Sequence, residues 1–489
     1  MLRIILISVM SLALTGAIYL RFDQQVGSDG IQSLNHAPTY APYYAPFLLP
    51  LLFLLSPIVF TPFLGLTGAW EETLSLCAGL FLHVSLYYLV LLALRPVLGK
   101  RITARTGALL WVIPNLLFFT LQQLCQPSHP RLVLYIPDPW PQLFIGVWLA
   151  GMVGVLVFHI VQHLGFRRRI LAPAVPATDP LTRYIWEEAL KEAGFRNPKY
   201  QLVISPEVKT PLSIGLLPRC TRVVLPTRSY TREELYWVIR HEIIHLARQD
   251  SWNKFFLLFC TAICWFNPLM WVAMKACAQD LELSCDETVL LFAHQSQRKE
   301  YAALLLNTAG DARGFTTCLS ASAAALRRRL ERVLAPAARS SGAFLAGLLF
   351  FLLAISYGWM TFSYGTAPAA QVLYSDQDTA QYHIKGIEVA RLTDGAQDLD
   401  YVPTDPQAFH DYLSGLSLSR LAGNYNFPDQ DFSCFLFGPD NGKLIVISHQ
   451  VMEVTELGPG AASTYYYLPQ GVDWDYLTSL LEVSPDSLA

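Results

Sequence analysis

The sequence predicts a polytopic α-helical membrane protein with a mainly-α (α+β) domain on its cytoplasmic face and a small extracellular α+β domain at its C-terminus. Three observations carry that prediction. The 489 residues are 53% hydrophobic and 15% charged, with a mean hydropathy of +0.34, whereas a soluble domain holds about a quarter charged residues. Apolar stretches at 2–21, 45–66, 73–95, 107–125, 141–163 and 343–363 each approach the roughly 20 residues that span a hydrocarbon core. Two segments of ordinary solubility, 167–341 and 366–489, are each large enough to bury a core of their own.

The remaining composition excludes other classes. A net charge of −3 and a pI near 6.4 provide no basic field for direct nucleic-acid binding. The nine cysteines show no CxxC or zinc-knuckle spacing, so a disulfide scaffold is excluded and a cysteine metal site is not expected.

The chain therefore divides into an N-terminal membrane segment (1–66), a three-span membrane domain (73–163), a cytoplasmic domain (167–341), a last transmembrane helix (343–363) and an extracellular domain (366–489). Basic residues set the orientation. Arg95, Lys100, Arg101 and Arg105 lie between the third and fourth stretches. Arg167, Arg168 and Arg169 follow the fifth, and Arg327, Arg328, Arg329, Arg332 and Arg339 precede the last. All three clusters belong in the cytoplasm, so the loop 126–140 and the tail after 363 lie outside. The first stretch, behind Arg3, reads as an uncleaved anchor. Two topologies stay open. If 2–21 spans from inside, 45–66 is re-entrant or interfacial; if 45–66 crosses, the N-terminus is outside. Pro50, Pro57 and Pro62 interrupt that second stretch.

Within 167–341 a helical pattern runs from Asp179 to Gly194, with Pro180 early and Gly194 as a stop. Two β-like runs follow, Gln201–Ile204 and Arg222–Leu225, the second read as an edge strand that could align an extended peptide. Thr231-Arg232-Glu233-Glu234 fits a capping box opening a helix.

That helix carries His241-Glu242-Ile243-Ile244-His245. Histidines four apart project from one helical face and can share a metal, with Glu242 beside them to activate water. A catalytic zinc site takes three protein ligands, the third from another element. The helical pattern Trp271–Phe292 contains Glu282 and Asp286 on one face. One can ligate while the other holds a histidine by its second ring nitrogen. The apolar run Phe255–Met274 between the helices is split by Asn267-Pro268 into pieces too short to span. It reads as a buried or membrane-dipping hairpin, which keeps both helices on one side.

HEIIH, then WFNPLMW (Trp265–Trp271), then LELSCDE (Leu281–Glu287) resembles the BlaR/MecR-type antirepressor membrane metallopeptidases, as does the Ser213–Pro226 region. The resemblance covers about residues 73–363. It implies a gluzincin-like fold with zinc on His241, His245 and Glu282, Asp286 behind them, and Glu242 as general base. It also implies a metalloendopeptidase that cleaves a cytoplasmic winged-helix transcriptional repressor when an unknown extracellular ligand acts on the outer domain. The best-known members end in a penicillin-binding-protein-like domain with an SxxK serine. Here the only lysines of the outer tail 366–489, Lys385 and Lys443, follow Tyr382 and Asp440 by three residues, so that tail holds no SxxK and β-lactam sensing by its acylation is excluded.

Two alternatives are a housekeeping membrane zinc protease and a signalling receptor with a non-catalytic zinc site. The outer domain disfavours the first, and the three-ligand set with Glu242 disfavours the second. The sequence leaves open whether two copies associate as a homodimer. It does not choose among Arg248, His294 and Tyr301 for transition-state support. Intramembrane His83, His159 and His163 read as ordinary packing or interfacial residues, and Arg327–Arg332 as a topological anchor. In the tail, Phe432–Phe437 and Lys443–His449 read as strands joined at Asp440-Asn441-Gly442, Asp405–Leu416 as a helix, and Ser463–Tyr467 as a strand face.

Overall fold

The computed structural model describes residues 2–27, 48–111, 113–114, 130–136, 140–193, 195, 200–217, 219–248, 250–310, 323–335, 339–357, 359–375, 377–390, 400–422, 425, 430–439, 442–458 and 463–484. They form two compact units. One comprises Met1–Leu51, Ser85–Thr120 and Ala150–Leu352, the other Leu52–Val84, Leu121–Leu149 and Leu353–Ala489.

Long apolar helices open the chain. Helix α1 spans Leu2–Gly27 and α2 Leu48–Arg101. The prolines of the second apolar stretch do not end α2. Its break falls at Gly65, whose φ of 70° only glycine adopts without strain. Helix α3 (Ala104–Leu110) starts on an N-cap from Thr103. Most of the stretch predicted at 107–125 lies outside the described residues, and its described part leaves the helix after Leu110. Strand β1 (Leu132–Ile136) precedes helix α4 (Trp140–Leu171). Among the described residues two helical segments are long and apolar enough to cross a membrane, Phe81–Arg101 and Gly146–Leu171.

Strand β2 (Val175–Pro176) and helix α5 (Pro180–Glu192) come next. Asp179 caps α5 by accepting from Thr182 N, with Pro180 in the first turn. Strands β3 (Gln201–Ser205), β4 (Leu212–Ile214) and β5 (Arg222–Pro226) complete a four-stranded sheet in the order β2-β3-β5-β4. The expectation that Arg222–Leu225 is an edge strand is corrected. β5 lies inside the sheet, parallel to β3 and antiparallel to β4, with Val223 and Val224 fully buried. The turn-rich segment folds back as β4 and takes the edge.

Helix α6 (Arg232–Ala247) begins at Thr231 with both halves of a capping box made to Glu234. Glu233 and Glu234 also place negative charge at the positive end of the helix dipole. Leu235, Val238, Ile239 and Ile243 recur at helical spacing and join Trp186, Leu225 and Val289 in one core. Helix α7 (Asp250–Ile263) and helix α8 (Pro268–Val289) form the expected hairpin, turned by Asn267, whose side chain caps Leu269 N. Phe256, Phe259, Ile263 and Met270 are buried within it. A Cβ on Gly151 of α4 would overlap the Trp265 ring in this turn, so glycine is what lets that ring rest on the α4 backbone. Helices α9 (Gln295–Gly310), α10 (Ala323–Leu334) and α11 (Ala343–Ser356) follow. The last predicted span, 343–363, is shortened. α11 has 14 residues, about 21 Å of rise against roughly 30 Å of hydrocarbon. The alternating Met360-Thr361-Phe362-Ser363-Tyr364 then runs as a strand. Ser11 of α1 donates to Gly347 O of α11 at 2.6 Å, a close helix approach made through small residues.

In the second unit β6 (Met360–Pro368), helix α12 (Ala369–Tyr374), β7 (His383–Val389), β8 (Tyr401–Pro403), helix α13 (Pro406–Gly415) and β9 (Ser417–Leu421) lead to β10 (Phe432–Phe437) and β11 (Gly442–Ser448). Then come β12 (Val451–Leu457), β13 (Ser463–Tyr467), helix α14 (Trp474–Ser479) and β14 (Leu481–Val483). One ten-stranded sheet runs β1-β6-β9-β13-β12-β11-β10-β7-β8-β14. β10 and β11 pair as a hairpin up to Phe437 opposite Gly442; the turn residues Asp440 and Asn441 lie outside the described residues. β1 joins parallel to β6, a pairing that the sequence reading did not contain. Leu373, Phe409, Leu413, Phe432 and Met452 build the main core. Lys443 Nζ donates to Val372 O at 2.7 Å, satisfying a terminal carbonyl of α12.

Candidate metal centre

The His241 and His245 rings project from adjacent turns of α6, and their Nε2 atoms lie 3.1 Å apart. Glu282 on α8 brings Oε2 to 3.5 Å from His241 Nε2 and Oε1 to 3.6 Å from His245 Nε2. Nitrogens bound to one tetrahedral zinc sit roughly 3.3 Å from each other. The three donors are thus spaced as ligands of a shared ion.

The far side of each ring is held. His245 Nδ1 donates to Asp250 Oδ2 at 2.6 Å. This leaves the lone pair of Nε2 directed at the centre. His241 Nδ1 meets the Tyr301 hydroxyl at 2.8 Å, and that hydroxyl donates to Asp286 Oδ1 at 2.7 Å. Asp286 itself stands 3.6 Å from His241 Nδ1, so it reaches the ring through Tyr301. Arg329 of α10 grips Asp286 with Nε and Nη2, both at 2.7 Å. Its Nη1 lies 3.5 Å from Glu282 Oε2.

The electrostatics favour a cation at this point. Burial acts to lower the His241 pKa, yet Cys285 and Glu282 outweigh it and raise the group to about 10. His245 is raised well above its ordinary value against the same burial, by Cys285, Glu282 and Asp250. Burial likewise opposes ionisation of Glu282, but His245, His241 and Arg329 hold its carboxyl well below the usual range. Two imidazolium rings with facing nitrogens at 3.1 Å would repel strongly. One divalent ion satisfies both lone pairs and the carboxylate together, so the donor set fits zinc.

Cys285 adds a sulfur donor, which corrects the expectation that no cysteine would join a metal site. Among the described residues, His241, His245 and Cys285 form the cluster whose donor atoms lie within 4.8 Å of one another. Its Sγ is 3.5 Å from His241 Nδ1, on the Tyr301 side of the ring, whereas Glu282 addresses both Nε2 atoms. Glu242 is 5% exposed and shares α6 with both histidines.

The structure thus brings His241, His245, Glu282 and Asp286 together, with Glu242 on the same helix. Two groups considered for transition-state support stand behind the ligands instead. Tyr301 backs His241, and Arg248 Nε lies 3.4 Å from Asp250 Oδ1 behind His245. His294 uses its backbone N–H on Gln297 at the start of α9. The sequence reading missed Asp250, Cys285 and the role of Arg329. Asp250 opens α7 five residues past His245, where an acid reads as ordinary first-turn chemistry. Arg329 is lost in a run of arginines.

Residues 135–333 match the family model described as BlaR1 peptidase M56, a range that encloses every residue of this centre. The Regulatory protein BlaR1 of Bacillus licheniformis is 25% identical over 181 residues, 37% of this chain and 30% of that protein. The Methicillin resistance mecR1 proteins of Staphylococcus aureus and Staphylococcus epidermidis are 27% identical over 106 residues, 21% of this chain and 18% of theirs. The chain thus spans under a third of the length of these curated relatives.

Proposed function

Since the chain belongs to the BlaR/MecR-type peptidase family, we propose that it is a membrane-embedded zinc metalloendopeptidase acting in regulatory signal transduction. The convergence of His241 Nε2, His245 Nε2 and Glu282 on one point is the observation that carries this reading. The peptidase domain, 167–341, faces the cytoplasm and cleaves a winged-helix transcriptional repressor. The domain 366–489 receives an extracellular signal.

His241, His245 and Glu282 hold the ion. Zinc there supplies Lewis acidity to the scissile carbonyl and makes a nearby water more acidic. Glu242 takes the proton of the attacking water and passes it to the departing amine nitrogen. Asp250 and the Tyr301–Asp286 pair keep both rings in the tautomer that leaves Nε2 free. β4, at the sheet edge and packed beside α6, is the element available to align an extended peptide.

Sidedness draws support from the second unit. β1 comes from the loop assigned outside, and it pairs with β6, which follows α11. Loop and tail therefore share one sheet, as the proposed topology requires.

The test is the full-length protein assayed for bound zinc and for cleavage of a winged-helix repressor encoded beside it. Glu242→Gln is expected to keep stoichiometric zinc and to lose about 10²–10⁴-fold in rate. Cleavage at the wild-type rate by a zinc-loaded Glu242→Gln protein would remove Glu242 from the chemistry.

A further inference from the structure

The arginines before the last apolar helix are not used alike. Arg327 projects outward with its side chain 81% exposed, whereas those of Arg329, Arg332 and Arg339 are 16%, 13% and 13% exposed. A topological anchor needs positive charge near the membrane surface, not buried guanidinium groups with fixed partners. Arg329 and Arg332 are three apart on one face of α10, and both reach α8. Arg332 and Arg339 meet Glu287 Oε1 at 3.2 and 3.4 Å, while Glu287 Oε2 accepts from Ala104 N at 2.6 Å. Arg329 makes the paired two-nitrogen grip on Asp286, the neighbouring residue, and reaches Glu282 with its third nitrogen.

We propose that Arg329 is a positioning residue for the metal centre, setting His241 and Glu282 from the helix that leads toward the last apolar helix. The proposal rests on the reading of His241, His245 and Glu282 as the ligands. Its path is short. Arg329 fixes both oxygens of Asp286, and Asp286 orients the Tyr301 hydroxyl. That hydroxyl then holds His241 Nδ1. Arg329 Nη1 also restrains the Glu282 oxygen nearest His241. A planar fork is required, because a lysine ammonium is a single point charge and cannot hold both Asp286 oxygens while touching Glu282. Docking of α10 on α8 and the geometry of the ion site are therefore one variable. Any displacement of α10 loosens two ligands at once. Arg332 and Arg339, both on Glu287, extend the same clamp toward the start of α11.

The experiment uses the full-length protein in detergent, stripped of metal. Zn²⁺ affinity is measured by competition with a chromophoric chelator, and ligand geometry by the visible spectrum of the Co²⁺-loaded protein. Arg329→Gln is expected to weaken Zn²⁺ binding about 10–100-fold, the usual cost of losing a residue that orients a ligand. Arg329→Lys restores part of that loss, and both variants shift the Co²⁺ bands. The exposed Arg327→Gln changes neither reading. Wild-type Zn²⁺ affinity and an unaltered Co²⁺ spectrum in Arg329→Lys would overturn the proposal, even if Arg329→Gln fails to fold. A lowered melting temperature with an unaltered spectrum would overturn it too, since that is a structural role alone. If wild type binds no Zn²⁺, or His241→Ala binds it as tightly as wild type, the ligand assignment itself fails. A Zn²⁺-binding wild type that needs His241 but is indifferent to Arg329 defeats only this inference.

Discussion

His245 illustrates how much of a metal site is decided away from the ion. Its Nδ1 is 2.6 Å from Asp250 Oδ2, and Asp250, 2% exposed, stays ionised against its burial because Arg248, His245 and Lys254 surround it. The carboxylate fixes the tautomer, so Nε2 needs no rearrangement to bind. Asp250→Asn keeps an acceptor but removes the charge, and zinc affinity is expected to fall by about tenfold. Asp250→Ala removes the hydrogen-bond acceptor as well as the charge and is expected to fall further. Chelator competition on the full-length protein measures both, and wild-type affinity in Asp250→Ala would show that His245 orients itself. At this scale the local part of the site was legible. A four-residue histidine spacing and a Glu beside it are dictated by helix geometry alone. The roles of Asp250, Tyr301 and Arg329 were not legible, because each joins the centre only after α7, α9 or α10 has packed. In sequence an acid at a helix start, a tyrosine in a helix and an arginine in a basic run have ordinary explanations.

Elements were predictable in proportion to how local their signals are. The capping box at Thr231 and the Asp179 start are each written within a few residues, and each begins a helix where expected, whereas the Asn267-Pro268 break opens α8 at Pro268, ahead of the Trp271 start expected. The order of strands is a property of folding back, and there the reading of β5 as an edge failed. β1 escaped for the same reason, since five residues between apolar stretches acquire strand character only from β6. Helix α13 supports a prediction of its own. His410 on it is buried and its Nδ1 accepts from the Tyr374 hydroxyl at 2.9 Å. Burial lowers its pKa, opposed more weakly by a Tyr382 backbone hydrogen bond and the Asp411 charge, with His383 adding to the lowering. The folded state therefore binds this proton less readily than the unfolded chain. Its contribution to stability is complete above the unfolded value of about 6.5 and declines as pH falls from there through the lowered folded value. Hydrogen-exchange protection factors across residues 406–415, taken relative to the intrinsic exchange rate at each pH, are expected to fall between pH 7.5 and 5, and His410→Gln is expected to flatten that dependence. Equal pH dependence in the variant would assign the effect to another group.

For the whole molecule the decisive question is which residues share a side of the membrane. Basic residues at 95–105 and 167–169, with the exposed Arg327 and Arg328, argue for one side for the segment that carries the metal centre. The parallel pairing of Leu132–Ile136 with Met360–Tyr364 argues separately that the short loop and the C-terminal domain lie together. A sheet cannot form across a bilayer, so β1 and β6 stand or fall as a pair. These arguments use different forces, long-range charge retention in one case and backbone hydrogen bonding in the other, and they agree on a single arrangement. Cys220 is an exposed free thiol in the peptidase segment, and Tyr476 in the C-terminal domain is 47% exposed. A membrane-impermeant maleimide applied to intact cells is expected to label Tyr476→Cys and to spare Cys220. Permeabilised cells should show both peptides modified by mass spectrometry. Labelling of Cys220 in intact cells with Tyr476→Cys protected would invert the topology and put the metal centre outside. Labelling of both from one side would mean that the chain between them crosses an even number of times, and no sensor-to-peptidase path across the membrane would remain.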